Sequence, residues 1–244
     1  LGATALTRLW SEPGSIFPRQ PDAAVVAEPT ELQAVVAHKG VVRWRLNTRG
    51  RATHSSQPHL GVNAIFKMAP ALAALERYQL EVAPGLGSHP LCGHPTLSVG
   101  TITGGVSVNT VPDRATIEID RRLIPGEKPQ EAMRHIIDFL TAQLAGQPPL
   151  EHEPPFLIGV GLLDTTNGPL AERMVSAARS AGIDCHAVGV PFGTNAAAIG
   201  AAGVPSIVFG PGSIDQAHTA DEWLALDQLD LASEALYRFA RAGL

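Results

Sequence analysis

The sequence contains little of what several large classes of protein require. Two cysteines, Cys92 and Cys185, are too few for a disulfide framework and lack the spacing of a metal-binding pair. We therefore expect a reducing, cytoplasmic location. Aromatic residues make up only 5% of the chain. No uninterrupted apolar run approaches the roughly 20 residues of a membrane-spanning helix, so a membrane partner is not expected.

An excess of basic residues is also absent. The 18 Lys and Arg residues are outnumbered by 23 Asp and Glu residues, which gives a net charge of −5. Proteins that bind nucleic acid usually carry a basic surface that neutralises phosphates, so a nucleic-acid partner is not expected either. Hydrophobic residues account for 45% of the 244 residues. This content and length are typical of a globular chain with one large or two moderate domains.

The middle of the chain predicts strands and helices in the order β-α-β-β-α-β. Alternating apolar and polar residues indicate the strands, and longer amphipathic stretches indicate the helices. The predicted strands are 41–48, 96–103, 115–123 and 150–158, and the predicted helices are 61–81 and 129–144. Pro70 lies inside the first helix and is expected to kink or divide it. The order is typical of a ferredoxin-like α+β domain, an antiparallel sheet with helices on one face.

The flanking segments predict a different architecture. A short apolar strand at 23–27 precedes the middle of the chain, and later helices alternate with short apolar strands at 185–190 and 206–209. Such alternation is typical of a mostly parallel sheet. We therefore predict an α/β domain of residues 1–38 and 157–244 that is interrupted by the α+β domain of residues 39–156.

Two polar residues follow short strands of the predicted α/β domain. Glu28 comes directly after the strand 23–27 and could project into a cleft, although an acid there could equally cap a helical turn. His218 lies on the loop that follows the strand 206–209 and the turn Gly210-Pro211-Gly212. Folds of this class place ligand chemistry on loops at the carboxyl ends of strands, but a surface histidine would give the same pattern.

Two further residues allow more than one interpretation. His54 is followed by two serines, which raises the possibility of a serine–histidine triad. Adjacent residues rarely form one, and the nucleophile-elbow pattern is absent. Arg122 follows Arg121 in a predicted strand, and spacing alone does not separate a ligand-binding arginine from a solvated one.

Six short motifs together resemble the M20 family of zinc-dependent peptidases and aminoacylases. They are Ala27-Glu28-Pro29-Thr30, His38-Lys39-Gly40, the run Thr53 to Pro58, the run Asn109 to Asp113, the run Asp120 to Glu127 and the stretch Phe192 to Trp223. Each motif alone is weak, but their order and spacing are specific. The resemblance spans nearly the whole chain and corresponds to the C-terminal two-thirds of such an enzyme.

The resemblance implies a hydrolase that cleaves an amide bond in an N-acyl amino acid or a small dipeptide-like substrate. It implies two zinc ions, with cobalt or manganese as possible native metals. Glu28 and His218 match metal ligands, one for each ion. His54 matches a catalytic histidine that hydrogen-bonds the oxyanion in the active site of the other subunit. Residues 39–156 would then form the lid and dimerisation domain of a homodimer.

The resemblance also implies a set of substrate-binding residues. Asn109 would reach the substrate across the dimer, and Arg122 would bind its α-carboxylate through the planar guanidinium group. The residues expected to line the floor of the site are Gly193, Thr194 and Gly210. The strand 41–48, expected to be exposed, and the helix after His54 are the candidate dimer contacts.

Two features depart from the family pattern. The remaining metal ligands and the general base would lie upstream of Leu1, so we expect the α/β domain to be incomplete and the site to need that segment. Without it, the alternative is a dimerising scaffold or binding module without catalysis, because a catalytic zinc normally takes three protein ligands. Asn195 stands where many relatives have aspartate, and an amide carries no charge for a role behind the metal ligands.

Overall fold

The computed structural model describes residues 2–10, 12, 14–17, 19–217 and 219–243. The chain forms two compact units. Unit 1 comprises Leu1–Lys39, Pro90–Cys92 and Val160–Leu244, and unit 2 comprises Gly40–His89 and Gly93–Gly159. The short segment Pro90–Cys92 belongs to unit 1, although it lies within the predicted range 39–156 of the α+β domain. No described helix is long and apolar enough to cross a membrane.

The strands and helices follow one another along the described chain in a mixed α/β order. The strands are β1 (Ala24–Val26), β2 (Ala34–His38), β3 (Gly40–Arg49), β4 (Thr53–His54), β5 (Thr96–Gly104), β6 (Thr110–Val111), β7 (Arg114–Leu123), β8 (Glu151–His152), β9 (Leu157–Gly159), β10 (Ala187–Val190) and β11 (Ser206–Val208). The α-helices are α1 (Gly2–Leu9), α2 (Ala64–Arg77), α3 (Pro129–Gln143), α4 (Gly168–Ser180), α5 (Ala196–Ala201) and α6 (Leu226–Arg241).

Unit 2 contains an antiparallel sheet in the order β5-β7-β3-β8, with β9 also pairing with β3. In chain order β3 and β7 are the first and third strands of this sheet, and they are neighbours at its centre. This arrangement confirms the ferredoxin-like prediction. The last strand differs from expectation, because 150–158 forms two short pieces. Pro154 and Pro155 lie between β8 and β9, and proline has no N–H group to donate to a ladder.

Strand alternation and two helices build the core of unit 2. Inward-facing side chains of the two central strands are fully or almost fully buried, among them Val42, Trp44, Leu46, Ile117 and Ile119. Helices α2 and α3 cover this face with Met68, Leu75, Ile136 and Leu140. The outward-facing side chains of the same strands are mostly polar, so only one face of the sheet is packed.

Helix α2 differs from the predicted helix at both ends. It begins after Asn63, whose side-chain oxygen accepts hydrogen bonds from the backbone N–H groups of Ile65 at 2.9 Å and Phe66 at 3.2 Å. Pro70 lies inside this single helix, so it does not divide the helix into two pieces. After Arg77 the chain changes to a π-helical turn, Tyr78–Val82.

The candidate dimer strand 41–48 is not exposed. It forms most of β3, which pairs with β7 on one side and with β8 and β9 on the other. A strand with partners on both sides has no backbone groups left for another chain. The prediction that this strand is exposed is therefore wrong, and the strand has no free edge for pairing with a second subunit. Among the described strands of this sheet, β5 forms the edge next to α2.

Unit 1 contains a sheet in the order β1-β11-β2-β10. The pairs β1–β11 and β10–β2 are parallel, whereas β11 and β2 meet in an antiparallel pair at Val208 and Val35. The sheet is thus mixed, with two parallel pairs out of three. The sequence pattern missed β2, which is buried along its whole length. Its short Ala-Val-Val-Ala run leads almost directly into β3 and shows no turn signal between the two strands.

A buried asparagine connects three segments of unit 1 through hydrogen bonds. Asn167 is 1% exposed. Its side-chain N–H groups donate to the carbonyls of Val36 at 3.0 Å and Leu163 at 2.6 Å, and its oxygen accepts from the N–H of Ser206 at 2.8 Å. One side chain therefore links β2, the segment before α4 and the start of β11.

We expect Asn167→Ala to lower the free energy of unfolding by about 3 kcal/mol, because each buried polar group left unpaired costs roughly 1–3 kcal/mol. The matched control is Asn63→Ala, which removes a partly exposed helix cap and should cost about 1 kcal/mol. Urea unfolding followed by circular dichroism measures both. Equal losses in the two variants would contradict the structural role given to Asn167.

Candidate functional site

The residues predicted to form a site lie in both units. Glu28, Gly193, Thr194 and Gly210 belong to unit 1, and His54, Asn109 and Arg122 belong to unit 2. His218, the second predicted metal ligand, lies outside the described residues.

Glu28 and Gly210 meet at the carboxyl ends of two adjacent parallel strands. Glu28 follows β1 and Gly210 follows β11, so parallel pairing brings them to the same edge of the sheet. A Cβ atom on Gly210 would lie 2.5 Å from the carbonyl oxygen of Glu28. No side chain fits at that distance, so this approach requires glycine. The Glu28 side chain is half-buried at this edge.

Thr30 and the residues after it hold the Glu28 segment in place. The N–H of Gly210 donates to Oγ1 of Thr30 at 3.0 Å, and this hydroxyl donates to the carbonyl of Gln33 at 2.8 Å. Glu31 and Leu32 have φ angles of 52° and 62°, which are unfavourable for residues other than glycine. Their N–H groups donate to the carbonyls of Gly212 at 2.8 Å and Gly210 at 3.0 Å. These hydrogen bonds stabilise a strained turn directly behind Glu28.

His38 positions the predicted floor residues Gly193 and Thr194. The ring is fully buried at the end of β2. Its Nε2 accepts hydrogen bonds from the N–H and the hydroxyl of Thr194, both at 3.1 Å, and its Nδ1 lies 3.0 Å from the carbonyl of Lys39. A backbone N–H can only donate, so Nε2 carries no hydrogen and Nδ1–H donates to Lys39. Burial lowers the pKa of His38, which favours this neutral form.

Thr194, which His38 holds in place, in turn caps helix α5. Oγ1 of Thr194 accepts from the N–H of Ala196 at 3.2 Å, so Thr194 rather than Asn195 caps the helix. A Cβ atom on Gly193 would lie 3.4 Å from the carbonyl of Lys39, an ordinary contact distance. Unlike Gly210, Gly193 is therefore not required by the packing of the described chain. His38 belongs to one of the six sequence motifs, but its role was not predicted, because a histidine at a strand end gives no signal of which residue it contacts.

A small two-stranded sheet, formed by β4 and β6, brings His54 and Asn109 together. Strand β4 pairs with β6 so that His54 lies opposite Thr110. The N–H of Ser55 donates to the carbonyl of Asn109 at 2.9 Å. Both candidate side chains are exposed and belong to one small, paired segment. Their pairing could not be foreseen, because two-residue strands leave no periodic pattern.

Strand alternation separates the two neighbouring arginines of β7. Arg121 points into the core, fully buried, and forms an ion pair with Glu127 at 2.6 Å. Arg122 points to the opposite face, where its Nε and Nη2 donate to the two oxygens of Asp120 at 2.8 and 3.3 Å. Asp120 also accepts from Nε of Arg43 at 2.6 Å. The guanidinium of Arg122 is thus oriented by a carboxylate and only partly exposed.

The chemistry of a metal site is present only in part among the described residues. A carboxylate oxygen of Glu28 and an imidazole nitrogen of His218 are suitable zinc donors. Among the residues that the structure describes, which exclude His218, no group of three His, Cys, Asp or Glu side chains could hold a metal ion.

Known proteins with similar sequences and folds are consistent with these observations. Residues 36–147 match the family model of the M20 peptidase dimerisation domain. The chain is 29% identical to an acetylornithine deacetylase of Vibrio campbellii over 238 residues, which cover 91% of this chain and 57% of the relative. It is 31% identical to an acetylornithine deacetylase of Vibrio vulnificus, covering 92% of this chain and 58% of the relative. The chain therefore spans less than two thirds of the length of these relatives.

Two solved structures share the fold. Aminopeptidase PepT from Bacillus cereus superposes with a TM-score of 0.70 at 20% identity, covering 89% of this chain and 56% of that chain. A tripeptidase from Staphylococcus aureus superposes with a TM-score of 0.71 at 21% identity, covering 91% of this chain and 57% of that chain. At this identity the likeness describes the fold alone.

The lowered pKa of His38 predicts an acid-sensitive contribution to stability. The folded imidazole resists protonation below the ordinary pKa of 6.5, whereas the unfolded one binds a proton there. The free energy of unfolding should therefore fall as the pH drops below about 6.5, until the lowered folded pKa is passed. His38→Gln removes this titrating group. We expect wild type to lose more stability than the variant between about pH 7 and about pH 5 in urea unfolding. An identical pH dependence in both proteins would contradict the prediction.

Proposed function

Because the chain belongs to the M20 family of metallopeptidases and aminoacylases, we propose that it is part of a metal-dependent enzyme that hydrolyses an amide bond. The proposed substrate is an N-acyl amino acid or a small dipeptide-like molecule, which agrees with the relatives named acetylornithine deacetylase. The observation that carries the proposal is the β4–β6 pairing, which brings the exposed side chains of His54 and Asn109 to the same small sheet. The proposed location is the cytoplasm, as predicted from the sequence.

Glu28 and His218 would hold the metal ions in this proposal. The half-buried carboxylate at the carboxyl end of β1 suits a ligand, since close backbone packing against Gly210 fixes its position. The proposed metals are two zinc ions, with cobalt or manganese as alternatives. When bound, such ions supply a Lewis acid and a water of lowered pKa. The proposal assigns the remaining ligands and the general base to residues outside these 244.

The other residues would bind and orient the substrate. His54 would donate a hydrogen bond to the oxygen that becomes negatively charged when the amide carbonyl is attacked. Asn109, next to His54 at the β4–β6 sheet, would also contact the substrate. Arg122 would bind the α-carboxylate, because its guanidinium already lies fixed against Asp120. Gly193, Thr194 and Gly210 would line the floor of the site, with Thr194 held by His38.

Unit 2 is the proposed dimerisation domain, and His54 and Asn109 would act in the partner's active site. The open edge of β5 lies beside α2 and the π-helical turn, and a groove there is lined by apolar residues that include Leu72, Leu80, Leu97 and Val99. Leu80 is 68% exposed, although a large apolar side chain gains free energy on burial. An unpaired strand edge next to an apolar groove is a suitable surface for a second copy of the chain.

We expect Leu80→Glu to weaken the dimer, because a charge in the groove would have to lose its water on association. The matched control is Leu226→Glu, which changes a leucine that is 75% exposed in unit 1 and should leave the oligomeric state unchanged. Analytical gel filtration over a range of concentrations measures both. A wild-type protein that elutes as a monomer would contradict the dimer and, with it, the shared active site.

We expect His54→Ala to lower kcat about 100-fold or more with a smaller effect on KM, because an oxyanion donor acts mainly in the transition state. Glu28→Ala should lose bound metal, measured by elemental analysis of the purified protein. His59→Ala is the control, since His59 is exposed and lies outside the proposed site. Turnover of an N-acyl amino acid that survives His54→Ala would contradict the role of His54. Wild-type protein that holds no metal and hydrolyses no such substrate would leave the dimerising scaffold as the better interpretation.

A further inference from the structure

The turn that follows β4 folds back onto the ring of His54. The N–H of Gln57 donates to the carbonyl of His54 at 3.0 Å and closes the turn. Inside it, Ser56 makes two contacts with the same ring nitrogen. Its backbone N–H donates to Nδ1 of His54 at 3.2 Å, and its hydroxyl oxygen lies 2.8 Å from that atom.

These two contacts determine which ring nitrogen carries the hydrogen. A backbone N–H can only donate, so Nδ1 of His54 must present its lone pair to Ser56. The Ser56 hydroxyl then also donates to Nδ1. A neutral imidazole has one hydrogen on its two nitrogens, and here it resides on Nε2. The ring therefore offers a hydrogen-bond donor, Nε2–H, on the side that faces away from the turn.

Asn109, the other candidate residue beside the β4–β6 sheet, is oriented in a similar way. The hydroxyl of Ser107 donates to Oδ1 of Asn109 at 2.6 Å. The acceptor atom of the amide is thus engaged locally, and its NH₂ group remains the donor. A nearby serine thus donates to an acceptor atom of each side chain, Nδ1 of His54 and Oδ1 of Asn109, and each side chain keeps an N–H donor that is not used in these contacts.

We propose that Ser56 is a positioning residue that holds the His54 ring with Nε2–H outward. This inference rests on the proposed function, in which His54 donates to a developing oxyanion. The opposite tautomer would present a lone pair to that negative charge and repel it. An exposed histidine that turned freely would also have to lose this freedom in every catalytic cycle. Because Ser56 holds the ring in the donor orientation before the substrate binds, it prevents both the repulsion by the wrong tautomer and the loss of ring rotation on binding.

The first test measures the tautomer directly, without activity. The 244-residue protein is prepared with ¹⁵N-labelled histidine, and long-range ¹H–¹⁵N spectra assign the His54 ring by its loss in His54→Gln. We expect wild type to show an unprotonated Nδ1 that accepts a hydrogen bond. Ser56→Ala should shift the Nδ1 resonance away from this position, and Ser56→Thr, which keeps the hydroxyl, should restore it. Thr141→Ala, which removes an exposed hydroxyl on α3, is the control and should change nothing.

The second test measures kcat and KM with an N-acyl amino acid, and it uses the metal-loaded enzyme that includes the segment proposed to carry the remaining ligands and the general base. Ser56→Ala should lower kcat about 2- to 10-fold with little change in KM, because one orienting hydrogen bond is lost while His54 remains. Ser56→Thr should recover most of the loss.

The outcomes distinguish the positioning role of Ser56 from the proposed catalytic role of His54. An unchanged His54 spectrum in Ser56→Ala overturns the inference, even where His54→Ala is inactive. A shifted spectrum with unchanged kcat overturns the inference that this orientation of the ring assists catalysis, and the role of His54 is then decided by His54→Ala alone. A loss in Ser56→Ala as large as that in His54→Ala, without recovery in Ser56→Thr, overturns positioning and makes Ser56 itself the reacting group.

Discussion

The contact between the backbones of Glu28 and Gly210 is the constraint on which the site in unit 1 depends. It exists because β1 and β11 run parallel and end at the same edge, and because Gly210 has no side chain. The hydroxyl of Thr30 and the strained turn behind it keep the two segments together. On β2, which adjoins β11, His38 anchors Thr194 in the same manner. Backbone-directed hydrogen bonds therefore position the carboxylate and the predicted floor before any ligand arrives.

Unit 2 positions its candidate residues by a different means. Arg122 owes its direction to strand alternation, since a shift of one residue would exchange it with the buried Arg121. His54 and Asn109 lie at the two-stranded β4–β6 sheet, outside the main sheet, and nearby serine hydroxyls orient their side chains. The rigid sheet thus carries the residue proposed to bind a carboxylate. The small β4–β6 sheet carries His54 and Asn109, the two residues proposed to act in another subunit.

The sequence predicted the parts of the fold that have a clear period. The alternation in β3, β5 and β7 and the amphipathic pattern of α3 identified the ferredoxin-like unit. Strand β2 was missed because a short apolar run without a flanking turn resembles a linker. The exposure of residues 41–48 was predicted wrongly, because periodicity shows which face of a strand is buried but not which strand lies at an edge. The roles of the candidate site residues came from the family resemblance. Thr30 and His38 hold Gly210 and Thr194 through contacts between distant parts of the chain, which the sequence pattern does not show. Ser56 and Asp120 lie two residues from the side chains that they contact, but the pattern does not show which local polar pairs form hydrogen bonds.

The shared carboxylate of Asp120 has a consequence for the charge of its surroundings. Arg43 and Arg122 bring two positive charges and Asp120 one negative charge, so the three side chains together carry a net charge of +1. One added anionic group brings this cluster to neutrality, and a second would meet no remaining charge to balance it. An uncharged group that displaced water from Arg122 would leave the positive charge less well solvated than before. If Arg122 binds the substrate as proposed, this balance of charge would favour one anionic group at the outer face of β3 and β7 over a neutral group or two anionic groups.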